Sequence, residues 1–173
     1  MRRRKSGTNI CLIIVMALLF TSADRRSTIS AAEPGFDLIV RSEEGRETRI
    51  SLGEIAKLPR TRIQAKDEKG KDSVWEGPLL SEVLRAGGVK FGEAIRGNAL
   101  ANYALAEAAD GYRVVFALPE MDPAFTDLTF LLADRRDGQP LGEVEGKLRI
   151  VVPHEKRHAR WVRQVVALSI RRP

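Results

Sequence analysis

The side chains best equipped for chemistry in this chain are cations near its C-terminal end: Arg149, Lys156, Arg157, His158, Arg160 and Arg163. An arginine presents a planar fork of N–H donors that matches phosphate or carboxylate oxygens in pairs. Each charge-assisted bond of that kind contributes about 1.5–3 kcal/mol. The segment therefore reads either as an anion site or as a solvated cationic face balanced by Glu143, Glu145 and Glu155. His154 and His158 stand at i and i+4, the spacing that puts two imidazoles on one helix face in zinc sites. Pro153 works against a helix there and no third ligand is evident, so no metal ligand is assigned. Tyr112, directly after Asp110-Gly111, could hold its hydroxyl over a ligand or simply follow a hairpin turn with its ring half buried. Trp75 and Trp161 have apolar neighbours and read as core. Glu120, Asp122 and Asp127 supply carboxylates without a partner at any recognisable spacing. No serine-nucleophile or glycine-rich phosphate motif stands in the chain, so no catalytic residue is assigned and a hydrolase is not expected.

Short elements must position these groups. Phe36–Val40 and Glu47–Ile50 alternate as strands. Ser51-Leu52-Gly53-Glu54 is a capping box opening a helix over Leu52–Lys57, which Pro59 ends. Thr61–Ala65 and Ser73–Trp75 read as a strand pair joined across Asp67-Glu68-Lys69-Gly70. Gly77 can turn the chain, and Pro78 suits the first helical position of a helix burying Leu79, Leu80, Val83 and Leu84 and ending at Gly87-Gly88. Residues 101–118 read as a hairpin around Asp110-Gly111. Leu128–Ala133 is a further strand before the Asp137-Gly138 turn, and Leu148–Val152 is a strongly apolar one. A helical turn over Arg160–Gln164 leads into the strand Val165–Ile170. Many short strands with few, short helices predict a mixed α+β domain rather than a doubly wound nucleotide-binding sheet.

The N-terminal residues read as an export signal. Arg2, Arg3, Arg4 and Lys5 precede the eleven-residue apolar run Ile10–Phe20, and Thr21-Ser22-Ala23 offers small residues for cleavage. The run is well short of the roughly 20 residues a spanning helix needs, so no permanent membrane span is expected. Ser30-Ala31-Ala32 is a weaker cleavage option. The apolar residues that should follow a twin-arginine pair are missing, which favours the general secretory route. Residues 1–23 are thus expected to be a signal peptide, 24–35 a flexible leader and 36–173 one domain, periplasmic or secreted. The chain carries 29 basic and 23 acidic side chains, +6 overall. Four of the basic ones and none of the acidic ones fall before residue 24, so the processed chain carries only +2, and a nucleic-acid partner is not expected. Cys11, the one cysteine, lies in the apolar run and would leave with it.

Five motifs stand in order, Trp75-x-Gly77-Pro78-Leu79 with Leu84 and Gly87-Gly88, Ala109-Asp110-Gly111-Tyr112, Leu131-Leu132-Ala133 with Asp137-Gly138-Gln139-Pro140-Leu141, Gly146-x-Leu148-Arg149-Ile150-Val151-Val152-Pro153 and Arg160-Trp161-Val162, within a match that spans roughly residues 36–171. Together they resemble the molybdopterin-binding domain of the sulfite-oxidase-like oxidoreductases. The resemblance implies a mixed, strand-rich α+β single domain with a pterin-phosphate site built from loops and basic side chains. Arg149, Lys156, Arg157, Arg160 and Tyr112 are its candidates here, and molybdopterin is the implied cofactor. In catalytic members a cysteine thiolate binds the molybdenum, a soft donor that no hydroxyl or amide replaces. Here the corresponding stretch, Gln64–Ser73, contains no cysteine. The glycines that members carry after the Val-Pro turn are replaced by His154-Glu155-Lys156-Arg157-His158-Ala159. Oxidoreductase chemistry in the family form is therefore not expected. Two functions stand: an exported domain retaining at most a pterin or other anion site, or a cofactor-free module on the same fold that engages a periplasmic or cell-surface protein or a small anionic ligand.

Overall fold

The computed structural model describes residues 37–173. The expected signal peptide and leader, Cys11 and Phe36 lie outside the described residues. Leu38 and Val40 face inward from β1 (Leu38–Arg41), which turns at Gly45 into β2 (Glu47–Ile50). Ser51 then caps α1 (Leu52–Ile55): its hydroxyl accepts the Glu54 amide at 3.3 Å, while the Glu54 carboxylate accepts the Ser51 amide at 2.8 Å. This reciprocal pair satisfies two otherwise free donors. The helix stops at Ile55, short of the expected Lys57, and the chain leaves through turn bonds ahead of Pro59.

β3 (Thr61–Lys66) and β4 (Asp72–Gly77) form the expected hairpin. α2 (Leu80–Ala86) buries Leu80, Val83 and Leu84 and ends at Gly87, with Gly88 at φ +89°. Pro78 does not take the first helical position. Its carbonyl accepts the Leu132 amide at 2.9 Å and Leu79 bridges to Leu131, so both stay extended and the helix starts two residues later. β5 (Tyr103–Ala108) and β6 (Arg113–Ala117) flank the Asp110-Gly111 turn. β7 (Leu131–Ala133) is shorter than the expected Leu128–Ala133, because the Phe130 carbonyl accepts the Leu80 amide at the start of α2 instead of a ladder bond. The two-residue strands β8 (Arg135–Arg136) and β9 (Gln139–Pro140) close around Asp137-Gly138. β10 (Arg149–Val151) and β11 (Val165–Arg171) complete the set. The helical turn lies at His158–Arg160, earlier than expected. The residues after it pair instead: Ile150 N–H donates to Val162 and Gln164 N–H to Glu145.

The strands assemble into a five-stranded sheet in the order β2-β1-β11-β5-β6, a four-stranded sheet β3-β4-β8-β9 and the pair β10-β7. Only β1 and β11 run parallel; every other pair is antiparallel. The core joins Leu38, Val40, Ala104, Ala106, Phe116 and Leu168 of the large sheet with α2, β7, β10 and Trp75. Alanines on β5 let neighbouring layers approach closely. Gly77 does the same where β4 crosses β7: a Cβ there would sit 2.0 Å from the Leu132 carbonyl oxygen. No described helix is long and apolar enough to cross a membrane.

Candidate functional site

The most unusual feature of the interior is a column of arginines and indoles. Trp75, inside β4, is fully buried, and the Arg136 and Arg149 guanidinium carbons lie 4.8 and 5.0 Å from its ring centroid. Arg149 also lies 5.5 Å from the Trp161 ring, which meets Trp75 edge-on at 5.8 Å, and His158 packs at 4.1 Å on Trp161. Flat, weakly hydrated guanidiniums stack on indole faces, so the two types hold each other in place. The expectation of apolar surroundings for the tryptophans is corrected in this respect: both are core residues, and their faces are covered by charge.

Three carboxylates neutralise this column. Asp67 pairs with Arg136, and Glu145 accepts from Arg136 at 3.3 Å and Arg149 at 2.9 Å. Glu68 pairs with Arg149 and with Arg163, the latter at 2.9 Å. Asp67 and Glu68 form the tip of the β3–β4 hairpin, within the stretch where the resemblance places a thiolate. The Asp67 carboxylate is held at about 2 by the Lys71 and Lys69 backbone amides and by Arg136. Burial pushes the Glu68 carboxyl upward, but the bonds from Arg163, its own amide and Arg149 outweigh it and hold it at about 2. Burial likewise opposes the charge on Arg136, and Asp67 and Glu145 more than restore it. Two buried donors stay unpartnered among the described residues, Trp75 Nε1 and Arg149 Nε.

Above the column opens a groove of about 390 Å³ lined by Glu68, Tyr112, His158, Ala159, Trp161 and Arg163, with Ala108 and Asp110. Tyr112 is half exposed, and its hydroxyl donates to the Ala159 carbonyl at 2.7 Å. That bond ties the β5–β6 hairpin to the 158–160 turn and shapes one wall.

The five candidate residues do not gather into one cluster. Arg149 is buried, 1% exposed, and spent on Glu68 and Glu145. Arg160 belongs to a second network: it pairs with Glu155 and, at 2.9 Å, with Glu120, and it lies over Phe116. Its Nη1 donates to the Val115 carbonyl at 3.3 Å, and Glu120 accepts the Ala117 amide at 3.0 Å. Arg160 and Glu120 thus satisfy the free edge of β6, which would otherwise offer unpaired backbone groups. Lys156 and Arg157 are exposed and have no ion-pair partner among the described residues. Tyr112 alone of the five lines the groove. His154 meets Phe130 and His158 meets Trp161, so the histidines share no face. Among the described residues no group of three metal-ligating side chains occurs. Sequence reasoning missed Asp67, Glu68 and Arg136; the available signal was an acidic pair, Asp67-Glu68, at the turn between two expected strands.

No family model and no curated protein matches the chain. Among solved structures, a chain of the sulfane dehydrogenase SoxCD from Paracoccus pantotrophus is similar, with a TM-score of 0.60 at 19% identity. The match covers 78% of this chain and 38% of that one, so this chain spans well under half of its structural neighbour. The likeness establishes the fold, a strand-rich mixed α+β one that this chain shares with that neighbour.

Proposed function

We propose that this chain is an exported binding domain, built on a molybdopterin-oxidoreductase-like fold, that takes a small anionic ligand in the groove beside Tyr112, Trp161 and Arg163. The observation that carries this reading is the groove's lining, in which Arg163 and His158 stand beside the Tyr112 and Trp161 rings; the acidic β3–β4 tip argues against a molybdenum centre. Where the resemblance places a thiolate, Asp67 and Glu68 point at arginines. A ligated molybdenum centre does not fit these residues: residues 37–173 contain no cysteine, the His154–Ala159 loop contains no glycine, and Arg149 is already paired. Redox chemistry on molybdenum is therefore not part of the proposal.

The groove has what an anionic ring compound needs. Arg163 and His158 supply donors, and Trp161 and Tyr112 supply flat walls. A pterin phosphate is one compound of that class. The residue 1–23 pattern supports export, to the periplasm or outside the cell. The test is to isolate the protein from its natural compartment, assay it for molybdenum and pterin, and measure thermal stability with and without anionic ligands. The expected result is no molybdenum and a rise in Tm with anions. Stoichiometric molybdenum with substrate oxidation would overturn the reading, as would a Tm indifferent to every anion.

A further inference from the structure

Glu68 occupies an uncommon position: it is a wall of the groove and the acceptor for two cations, Arg163 in the groove and the buried Arg149. We propose that Glu68 is a tethered competitor for this cation site, and that binding is an exchange in which a dianionic oxyanion group, a phosphate, sulfate or phosphate ester, displaces its carboxylate from Arg163 and Arg149. The proposal rests on the anion-binding reading above and adds the ligand's charge and the means of its control.

Three features support the exchange. First, the loop keeps its shape without Glu68. Asp67 Oδ1 accepts the Lys69 and Lys71 amides at 2.9 Å each, Asp67 N–H donates to the Lys71 carbonyl at 2.9 Å, and Gly70 N–H donates back to Asp67 at 2.9 Å. Glu68 itself is about one-third exposed and can rotate outward about its own side-chain bonds. Second, Arg149 is not stranded when Glu68 leaves. Its Nη1 keeps Glu145 at 2.9 Å, and the incoming anion takes the Glu68 side. Arg163, nearly half exposed, is already open to the groove. Third, the competition selects by charge. A tethered group acts at an effective concentration on the order of millimolar. A monocarboxylate ligand therefore offers the arginines nothing that Glu68 does not already supply. A dianion brings twice the charge and three acceptor oxygens for the guanidinium forks.

Seating of Glu68 lowers apparent affinity by the fraction of molecules in which the site is free. The test uses the full chain, wild type and Glu68→Gln, titrated calorimetrically with inorganic phosphate, sulfate, phenyl phosphate and acetate. Glu68→Gln should bind phosphate and sulfate about tenfold more tightly, and acetate should become detectable. Glu68→Asp, which keeps the charge but falls short of both arginines, should behave like Glu68→Gln and guards against a folding artefact. Tighter binding of phenyl phosphate than of inorganic phosphate would identify an ester carried on a ring, and equal binding a free oxyanion. Equal phosphate affinity in wild type and both variants would overturn the competitor role while leaving the anion reading intact. Phosphate binding by the variants but not by wild type would show that Glu68 closes the site outright, and would overturn both the exchange and the anion reading for the natural protein. Binding by none would overturn both.

Discussion

Replacing Gly77 by alanine should destabilise this domain severely, and the reason is purely steric. Gly77 lies at the end of β4, where that strand crosses β7, and a Cβ there would lie 2.0 Å from the Leu132 oxygen, 2.7 Å from its carbonyl carbon and 2.8 Å from Ala133 Cα. All three are backbone atoms, so no side-chain rotation relieves the clash. The strands would have to part by about 1 Å. Two bonds bracket the crossing: Leu132 N–H to Pro78 at 2.9 Å and Asp134 N–H to Glu76 at 3.0 Å. Stretched by that much, neither remains a hydrogen bond. Losing both costs about 2 kcal/mol, and crowding adds about 1–3 kcal/mol. The alanine returns about 0.4–1 kcal/mol by restricting the unfolded chain. The net loss is about 3 kcal/mol. With a urea m-value of about 2 kcal/mol/M, the unfolding midpoint should fall by about 1.5 M. Gly142→Ala is the control: nothing lies within 4 Å of its added Cβ, and its midpoint should stay within about 0.3 M of wild type. A Gly77→Ala midpoint as close as the control's would refute the close crossing of β4 and β7.

Acid should weaken the fold through the β3–β4 tip. Asp67 and Glu68 are both held at about 2, below their ordinary 3.8 and 4.5. The stability they contribute is therefore fully present above about pH 4.5 and is lost as pH falls from there through about 2. Urea midpoints measured from pH 7 to 2.5 should drop over that window, and Asp67→Asn should flatten the drop; an unchanged acid slope in the variant would contradict the assignment. Trp161→Phe removes the indole N–H that donates to the Val152 carbonyl at 2.8 Å inside the core. It should cost about 1–3 kcal/mol by chemical denaturation, and a loss under half a kcal/mol would show that the bond contributes little.

Much of the fold was legible because local chemistry and the tertiary outcome agree. The Ser51–Glu54 capping box, the Thr61–Lys66 and Asp72–Gly77 hairpin, the Asp110-Gly111 turn and the alternating alanines of β5 each carry their own signal within a few residues. Where a backbone group was claimed by a distant strand, local reading failed. Pro78 follows β7 rather than α2, and the 161–164 segment pairs with β10 and Glu145 rather than forming a helical turn.

The sequence alone determined the inventory: a cation-rich C-terminal segment, a thiolate-free β3–β4 stretch, and enough alternating short strands for an α+β fold. It could not say which charges are spent. Arg149 and Arg160 look equally available along the chain, yet one is stacked between indoles against Glu68 and Glu145, and the other braces the edge of β6. Besides a near neighbour each, Glu145 and Glu155, they meet Glu68 and Glu120, which lie 81 and 40 positions away. Ion pairing acts over a few ångströms of space, so only the folded arrangement decides which cation meets an internal carboxylate and which stays free for a ligand.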